Sequence, residues 1–486
     1  MSEAAPPDWI GDAVLYQIFP DRFARSASAP TPSNLEPWDD PPTVHGYKGG
    51  DLLGVVERLD HLSELGVTGV YLTPIFQSGA NHRYHTHDYH RIDPLLGGDA
   101  AFQRLRDALH ERGMRLVLDG VFNHASRGLL QFHDVLENGP ASPYRDWWHV
   151  EGFPLRAYHE DGDHRYRSWW DLPALPKFNV ETPAVRTFLW GVATRWLEEG
   201  ADGWRLDVPE EIDDPAFWRE FRKRCRAVRD DAWLVGEIWG RPDGWVGGDP
   251  FDGTMFYPLA QAILGLVGRD VDQEQARRGG LGRIEPRTPQ AFADELAALL
   301  DAPKATREAH MTLLGSHDTA RVRTLLGGDR AAIDQAYGLL LALPGAPTIY
   351  YGDELGLEGG HDPHNRGTIP WERPDQWDAH RLEELRRRIA VRHEVRALRR
   401  GTVETLHAAG GELWLGRRDG DERALVVVRL DDDAAAPEGN GVRLPAAWRG
   451  RWRSRLSDEE VEVEADGRVR GDRLPGRWTG WLTRAS

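Results

Sequence analysis

The sequence has a single cysteine, Cys225, in 486 residues. No disulfide can form within the chain, so its stability does not depend on an oxidising compartment. Positive charge is also short: 60 Lys and Arg stand against 78 Asp and Glu, a formal net charge of −18. That balance argues against nucleic acid as a partner, because phosphate binding needs a basic face. It argues equally against an anionic membrane surface. No run approaches the ~18 apolar residues of a membrane span. The opening stretch MSEAAPPDWIGDAV lacks the basic and apolar regions of a secretory leader. A cytoplasmic protein is expected. Long-range repeats are missing, and the one biased tract, DDDAAAPE at 431–438, reads as an exposed loop.

What is present begins with apolar runs. AVLYQIF (13–19), GVYLTPI (69–75), RLVLDGV (115–121), DGWRLDV (202–208), WLVGEIW (233–239), MTLLGSH (311–317) and APTIYYG (346–352) are short and nearly continuous, and GTMFYPL (253–259) is a weaker eighth. Helical patterns lie between them, for example AFQRLRDALHERG (101–113) and AVRTFLWGVATRWLEEG (184–200). Continuous apolar strands alternating with helices predict parallel strands buried on both faces. Eight of them predict a (β/α)8 TIM barrel, with a doubly wound sheet as the competitor. Residues 124–178, rich in Trp, His, Pro and Gly, interrupt the alternation after the third strand. They read as an inserted domain, because a structureless loop of that length is improbable. The barrel therefore spans 1–123 and 179–400. From 401 to 486 the period changes to two, in runs such as ELWLGRR, RALVVVRL and WTGWLT. That predicts a C-terminal antiparallel β-sandwich.

In a parallel barrel the chemistry sits at the C-terminal ends of the strands. Asp119 ends the third and runs into Asn123 and His124. Arg205 and Asp207 end the fourth, two residues apart and so on one side of it. Glu237 ends the fifth, and His317 with Asp318 ends the seventh. Each acid alone reads as a loop carboxylate or a helix cap; several at neighbouring strand ends read as a site. Glycoside hydrolysis needs this set: one carboxylate to attack or stabilise the anomeric carbon, and one protonated carboxyl to donate to the leaving oxygen. Arg205 is expected to hold Asp207 ionised. The surroundings of Glu237, with Ile238 and Trp239, are expected to raise its pKa. Twenty tryptophans against fourteen phenylalanines read first as core packing, and second as flat surfaces for sugars.

DGVFNH (119–124), DGWRLDVPEE (202–211), GEIW (236–239) and LLGSHD (313–318), with LPKFN (175–179), resemble the ordered motifs of the α-amylase superfamily of glycoside hydrolases. The resemblance runs from about residue 13 to the C-terminal domain. It implies a barrel with an inserted domain after strand three, a C-terminal β-sandwich and a retaining mechanism through a covalent glycosyl-enzyme. By motif position it implies Asp207 as nucleophile, Glu237 as acid/base and Asp318 as the third carboxylate. Arg205 would support Asp207. His124, His317, Tyr84 and Arg366 would contact the sugar, and Asp119 and Asn123 would shape the site.

YQIFPDRF (16–23) and YYGDELGLEGGHDPHNR (350–366) look most like cyclomaltodextrinases, maltogenic amylases and neopullulanases. The implied substrates are α-1,4-linked maltooligosaccharides or cyclodextrins, with transglycosylation left open beside hydrolysis. An α-glucosidase and a glucan or sucrose transglycosylase of the same superfamily stay open. That subgroup usually dimerises through an N-terminal domain; here the barrel starts by residue 13, so a monomer or a differently built dimer is expected. No cofactor is expected for the chemistry. The subgroup's calcium loop is replaced by RFARSASAPTPSN (22–34), which offers few oxygen ligands, so calcium is not expected there, and a structural calcium at a different site that includes Asn123 stays open. Glu210 and Gly240 stand where the family often has Asn and His. Two other classes remain. His85, His87 and Asp88 in HRYHTHDYH permit a metal-dependent barrel hydrolase. A non-catalytic carbohydrate-binding protein would have lost carboxylates that this chain keeps.

Overall fold

The computed structural model describes residues 5–28, 30–159, 162–247, 250–433 and 435–485. Residues 1–4 of the segment read for a leader lie outside that set, as does Ala434 of the acidic patch. The eight apolar runs form eight short barrel strands: β1 (Leu15–Ile18), β2 (Gly69–Leu72), β3 (Arg115–Gly120), β4 (Gly203–Leu206), β5 (Trp233–Gly236), β6 (Gly253–Thr254), β7 (Met311–Leu313) and β8 (Ala346–Tyr350). All pairs are parallel, in the order β6-β5-β4-β3-β2-β1-β8-β7. A parallel bridge between Met255 and Met311 closes the ring. The weak eighth run is short because its ladder ends there. Gly253 is needed in it: a Cβ would lie 2.0 Å from the Ala309 carbonyl oxygen.

Helices cover the outside, and their starts are written in the sequence. Pro183–Glu198, Pro215–Val228 and Pro289–Leu299 each carry Pro in the first turn, where its missing N–H costs nothing. Asp214 caps the second by accepting from the Ala216 and Phe217 amides. LLGVVERLDHLSEL folds as two helices, Leu52–Glu57 and Leu59–Leu65, instead of one continuous helical run. Between β2 and β3 a two-stranded hairpin, Phe76–Ser78 with Thr86–Ile92, frames the loop bearing Tyr84. In the 124–178 stretch one helix, Leu130–Asn138, is followed by short 3-10 turns tied by isolated bridges, among them Trp148 to Phe178 and Ser168 to Pro176. Among the described residues no helix is long and apolar enough to cross a membrane.

The C-terminal strands are β9 (Thr402–Ala409), β10 (Glu412–Asp419), β11 (Glu422–Arg429), β12 (Gly450–Ser454), β13 (Glu460–Val463), β14 (Val469–Gly471) and β15 (Trp478–Arg484). They form one antiparallel sheet in the order β9-β10-β11-β15-β12-β13-β14, with β15 paired to both β11 and β12. Period-two alternation gives this sheet two buried faces. Leu413, Leu415, Val426, Val428 and Trp481 join the barrel core. Trp414, Leu425, Val427, Trp448 and Trp452 form a second core of the domain's own. Many of the tryptophans are thus packing residues.

Candidate active site

The C-terminal ends of β3, β4 and β5 converge on one guanidinium. Arg205, on β4, is fully buried. Its Nη1 lies 3.0 Å from both oxygens of Asp119 and 3.0 Å from Asp207 Oδ1, and its Nη2 lies 2.9 Å from Glu237 Oε2. Its Nε donates to Met255 Sδ at 3.4 Å, so the residue that closes the barrel also steadies the cation. Asp207 and Glu237 each sit one residue beyond their strands. The turn after Asp207 is unusual: Val208 is left-handed at φ 36°, which a β-branched residue rarely adopts. The turn aims the Val208 N–H at Glu237 Oε2, 3.0 Å away.

Sharing one cation among three carboxylates changes the electrostatics expected from the sequence. Arg205 is not Asp207's private partner. Burial, joined by Glu237, Asp119 and Asp318, raises Asp207 well above the usual carboxylate range against the pull of Arg205. Burial likewise raises Glu237, with Asp318 adding to it and Arg205 opposing. Trp239 acts against the expected direction. Its Nε1–H donates to Glu237 Oε1 at 3.2 Å and favours the anion. The indole is held face to face on Tyr257, with ring centres 3.9 Å apart, and the Tyr257 hydroxyl meets Ser316 Oγ at 3.1 Å.

A second chain of contacts comes from β1, β2 and the loop after β7. Gln17 donates its amide to His317 Nδ1 at 2.8 Å. That places the imidazole hydrogen on Nε2, which meets the Tyr84 hydroxyl at 2.5 Å. Tyr84 donates in turn to Asp119 Oδ2 at 2.9 Å, and Tyr71 reaches the same oxygen at 2.5 Å. The Tyr84 and His317 rings stack at 5.4 Å and 5°. Burial, with Arg205 and Arg366 nearby, keeps His317 well below its ordinary pKa and therefore neutral. Asp318 Oδ1 lies 3.3 Å from His317 Nε2 and 3.8 Å from Arg366 Nη2. Arg366 is fixed by donating from Nε to the His317 carbonyl at 3.0 Å and by Asp362 at 3.0 Å. Among the described residues, Asp318 Oδ2 and His124 Nε2 are buried without a partner. Burial lowers His124 to about 3, so it too is neutral. Asn123 turns its amide to His124 Nδ1 at 3.3 Å.

The structure thus brings Asp119, Arg205, Asp207 and Glu237 into direct contact and joins Tyr84, His317, Asp318 and Arg366 to them. His82 stacks near Tyr84 at 5.8 Å and lies 4.9 Å from His85, whereas His124 stacks on Trp169 at 5.0 Å and 17°. Sequence reasoning missed Gln17 and Tyr71. Glu210 lies on the rim, where burial, Glu237 and Glu211 raise its pKa. Among the described residues no group of three or more His, Cys, Asp or Glu is arranged to hold a metal ion, His85, His87 and Asp88 included. Around the 22–34 loop, three buried charged side chains are engaged with the protein itself. Asp21 accepts from the Lys48 and Gly49 amides and pairs with Arg22 at 2.8 Å. Asp51 accepts from Ser26, Leu53 and Gly54. The buried Lys48 ammonium takes the Pro37 and Asp40 carbonyls, both at 2.7 Å.

Residues 17–397 match the family described as alpha amylase, catalytic domain. The chain belongs to the α-amylase family of glycoside hydrolases. A cyclomaltodextrinase of Geobacillus thermopakistaniensis (strain MAS1) is 40% identical over 466 residues, covering 95% of this chain and 75% of that protein. The solved structure of Ttha1563 from Thermus thermophilus is 44% identical with a TM-score of 0.92, covering 98% of this chain and 100% of the other. The native debranching enzyme of Nostoc punctiforme is 41% identical with a TM-score of 0.90, covering 99% of each chain. Within its family the chain is a glycosidase of the cyclomaltodextrinase and neopullulanase kind.

Proposed function

We propose that this glycosidase cleaves α-1,4-glucosidic bonds of maltooligosaccharides or cyclodextrins with retention of configuration. The observation that carries the reading is the single guanidinium of Arg205 bridging Asp207 and Glu237 at adjacent strand ends. Two carboxyls so close together suit attack and protonation on one glycosidic bond. The Asp207 carboxylate attacks the anomeric carbon while Glu237 gives its proton to the departing glycosidic oxygen. The C–O bond breaks and a glycosyl ester forms. Glu237, now a carboxylate, takes a proton from water; the water oxygen attacks the anomeric carbon and Asp207 is released. A sugar hydroxyl in place of water gives transglycosylation. Asp318, beside Arg366, receives sugar hydroxyls, and neutral His124 and His317 donate to them. Tyr84 offers its ring to the sugar, and Asp119 anchors Arg205 and Tyr84.

The chemistry uses no cofactor, and Lys48 does for the 34–47 loop what a bound cation would do. The substrate class rests on similarity to cyclomaltodextrinase, and the single cysteine fits an intracellular setting. Whole-length similarity to the Nostoc debranching enzyme favours a second activity on α-1,6 branches. One experiment tests these points: product analysis on maltotriose, β-cyclodextrin, pullulan and starch, with NMR of the first-formed anomer. Maltose and glucose should appear from the small substrates faster than from starch, as α anomers. A β anomer would overturn retention, and starch degraded far faster than every small substrate would overturn the substrate class.

A further inference from the structure

Trp170 is the most exposed large apolar side chain among the described residues, at 75%. It is also strained. Trp170 and Asp171 adopt consecutive left-handed conformations, φ 50° and 56°, each costing about 1–3 kcal/mol for a residue with a side chain. The loop holding them is stitched by Trp169 N–H to the Leu175 carbonyl, Leu172 N–H to Trp169, Leu175 N–H to Leu172, and the Ser168–Pro176 bridge. A rigid, strained loop that presents an indole to water is not explained by packing.

What the loop builds is a column of rings. Trp170 stacks on Trp169 at 4.5 Å and 12°, and Trp169 stacks on His124 at 5.0 Å and 17°. His124 is buried, and its Nε2 has no partner among the described residues. By motif position His124 contacts the sugar at the cleavage point, so its open Nε2 marks the inner end of the column. The column therefore runs from buried His124 through Trp169 to Trp170 at the protein surface.

We propose that Trp170, supported by Trp169, is a distal sugar-binding platform that sets chain-length preference. Its ligand is a glucose ring of the same α-glucan, beyond the ring that His124 contacts. The flat, apolar face of a glucose ring matches an exposed indole, and the column that fixes the indole keeps the entropy cost of binding low. The inference rests on the α-glucan reading above. It adds a residue that touches only long substrates.

The test compares maltoheptaose with maltotriose in wild type, Trp170→Ala and Trp170→Phe. The ratio of kcat/KM for the long over the short substrate should fall about tenfold in W170A, the effect of one lost stacking contact. The fall should sit in KM and be largely restored in W170F. An unchanged ratio, or an equal loss on both substrates, would overturn the proposal. Calorimetry of maltoheptaose binding to E237Q and to E237Q/W170A gives a readout free of turnover, with weaker binding expected in the double variant. Wild type inert on both glucans would count against the proposed function. Equal affinity of the two E237Q proteins would count against the platform alone.

Discussion

The two ends of this barrel treat charge in opposite ways. At the C-terminal end Asp119, Asp207 and Glu237 divide one buried cation, with Asp318 close by. At the N-terminal end three carboxylates each meet two or more cations. Asp202, just before β4, meets Arg115 at 2.9 Å, Arg229 at 2.8 Å and His110 at 2.9 Å, and accepts the Leu116 amide. Asp252, before β6, meets Arg222 and Arg226. Asp12, before β1, lies between Arg399 and Arg400. Burial raises its pKa, but bonds to the two arginines win and leave it below the ordinary value. One barrel thus keeps a satisfied end, where ion pairs hold strands together, and a frustrated end, where buried anions lack counter-charge. Breaking a buried pair costs about 3–5 kcal/mol, so the satisfied end can carry the stability that the frustrated end gives up for chemistry.

Substitution of Glu237 by Gln should have the largest effect and show both sides of the contrast. Activity should fall roughly 10⁴-fold or more, the scale for loss of a group that acts in the chemical step. Stability should move the other way. Burial raises the folded-state pKa of Glu237 above its unfolded value, so the folded state holds the extra proton. That contribution is fully present below the unfolded pKa, near 4.3, and is lost as pH rises through the folded value. E237Q should therefore raise Tm at pH 8, with the gain shrinking toward pH 4. A lower Tm at pH 8 would mean the cluster is satisfied after all.

The matched experiment at the other end is Asp202→Asn. It should cost about 3 kcal/mol, read by denaturant unfolding at pH 7. The kcat/KM on maltotriose should stay within about twofold, because the geometry at the top of a barrel is independent of charge at the bottom. Loss of activity with intact stability would erase the division of labour.

His310, just before β7, tests a buried neutral group at the N-terminal end. It stacks on Phe256 at 4.3 Å and its Nδ1 accepts the Thr254 amide at 3.1 Å. Burial lowers its pKa to about 4. A depressed folded-state value gives stability that is present above the unfolded pKa, near 6.5, and lost as pH falls through about 4. The window is worth about 3 kcal/mol. His310→Gln keeps an acceptor and does not titrate, so its unfolding free energy should fall less steeply between pH 6.5 and 4 than that of wild type. Parallel profiles would reject the assignment.

How much of this was legible in the sequence depends on what each signal encodes. Seven barrel strands announce themselves because parallel strands buried on both faces must be apolar throughout, as AVLYQIF and APTIYYG are. The eighth is faint because β6 has two residues and a bridge does the rest. In the C-terminal domain, TVETLHAA at 402–409 escapes notice because an edge strand need not bury its alternate residues. The acids of the site are readable from their places at strand ends. Their sharing of Arg205 is not, since an i, i+2 spacing shows one neighbour and says nothing of β3 or β5. Gln17 left a trace, a polar residue inside an apolar strand. Tyr71 left none, because a tyrosine serving Asp119 looks like any core tyrosine. For Trp239 composition suggested an apolar neighbour, and only the direction of its N–H makes it a hydrogen-bond donor to Glu237.

The smallest expected effect, at Val208, tests whether strain belongs to the frustrated end. Its φ of 36° costs about 1–3 kcal/mol in a β-branched residue. Glycine would relieve that strain, while adding unfolded-state entropy worth about 0.4–1 kcal/mol and losing the packing of a half-buried side chain. The opposing changes nearly cancel, so Val208→Gly should shift stability by less than about 1 kcal/mol. The N–H that serves Glu237 survives the substitution, so the alkaline limb of the rate profile, which reports the proton on Glu237, should not move. Val117 on β3 is the control: it is fully buried in a relaxed strand. There a glycine removes core volume with no strain to release, at a cost of about 2 kcal/mol or more. Urea unfolding of the two variants side by side makes the comparison. Equal losses would show that the turn after Asp207 is as relaxed as the strands beneath it, and that the frustration at this end is electrostatic alone.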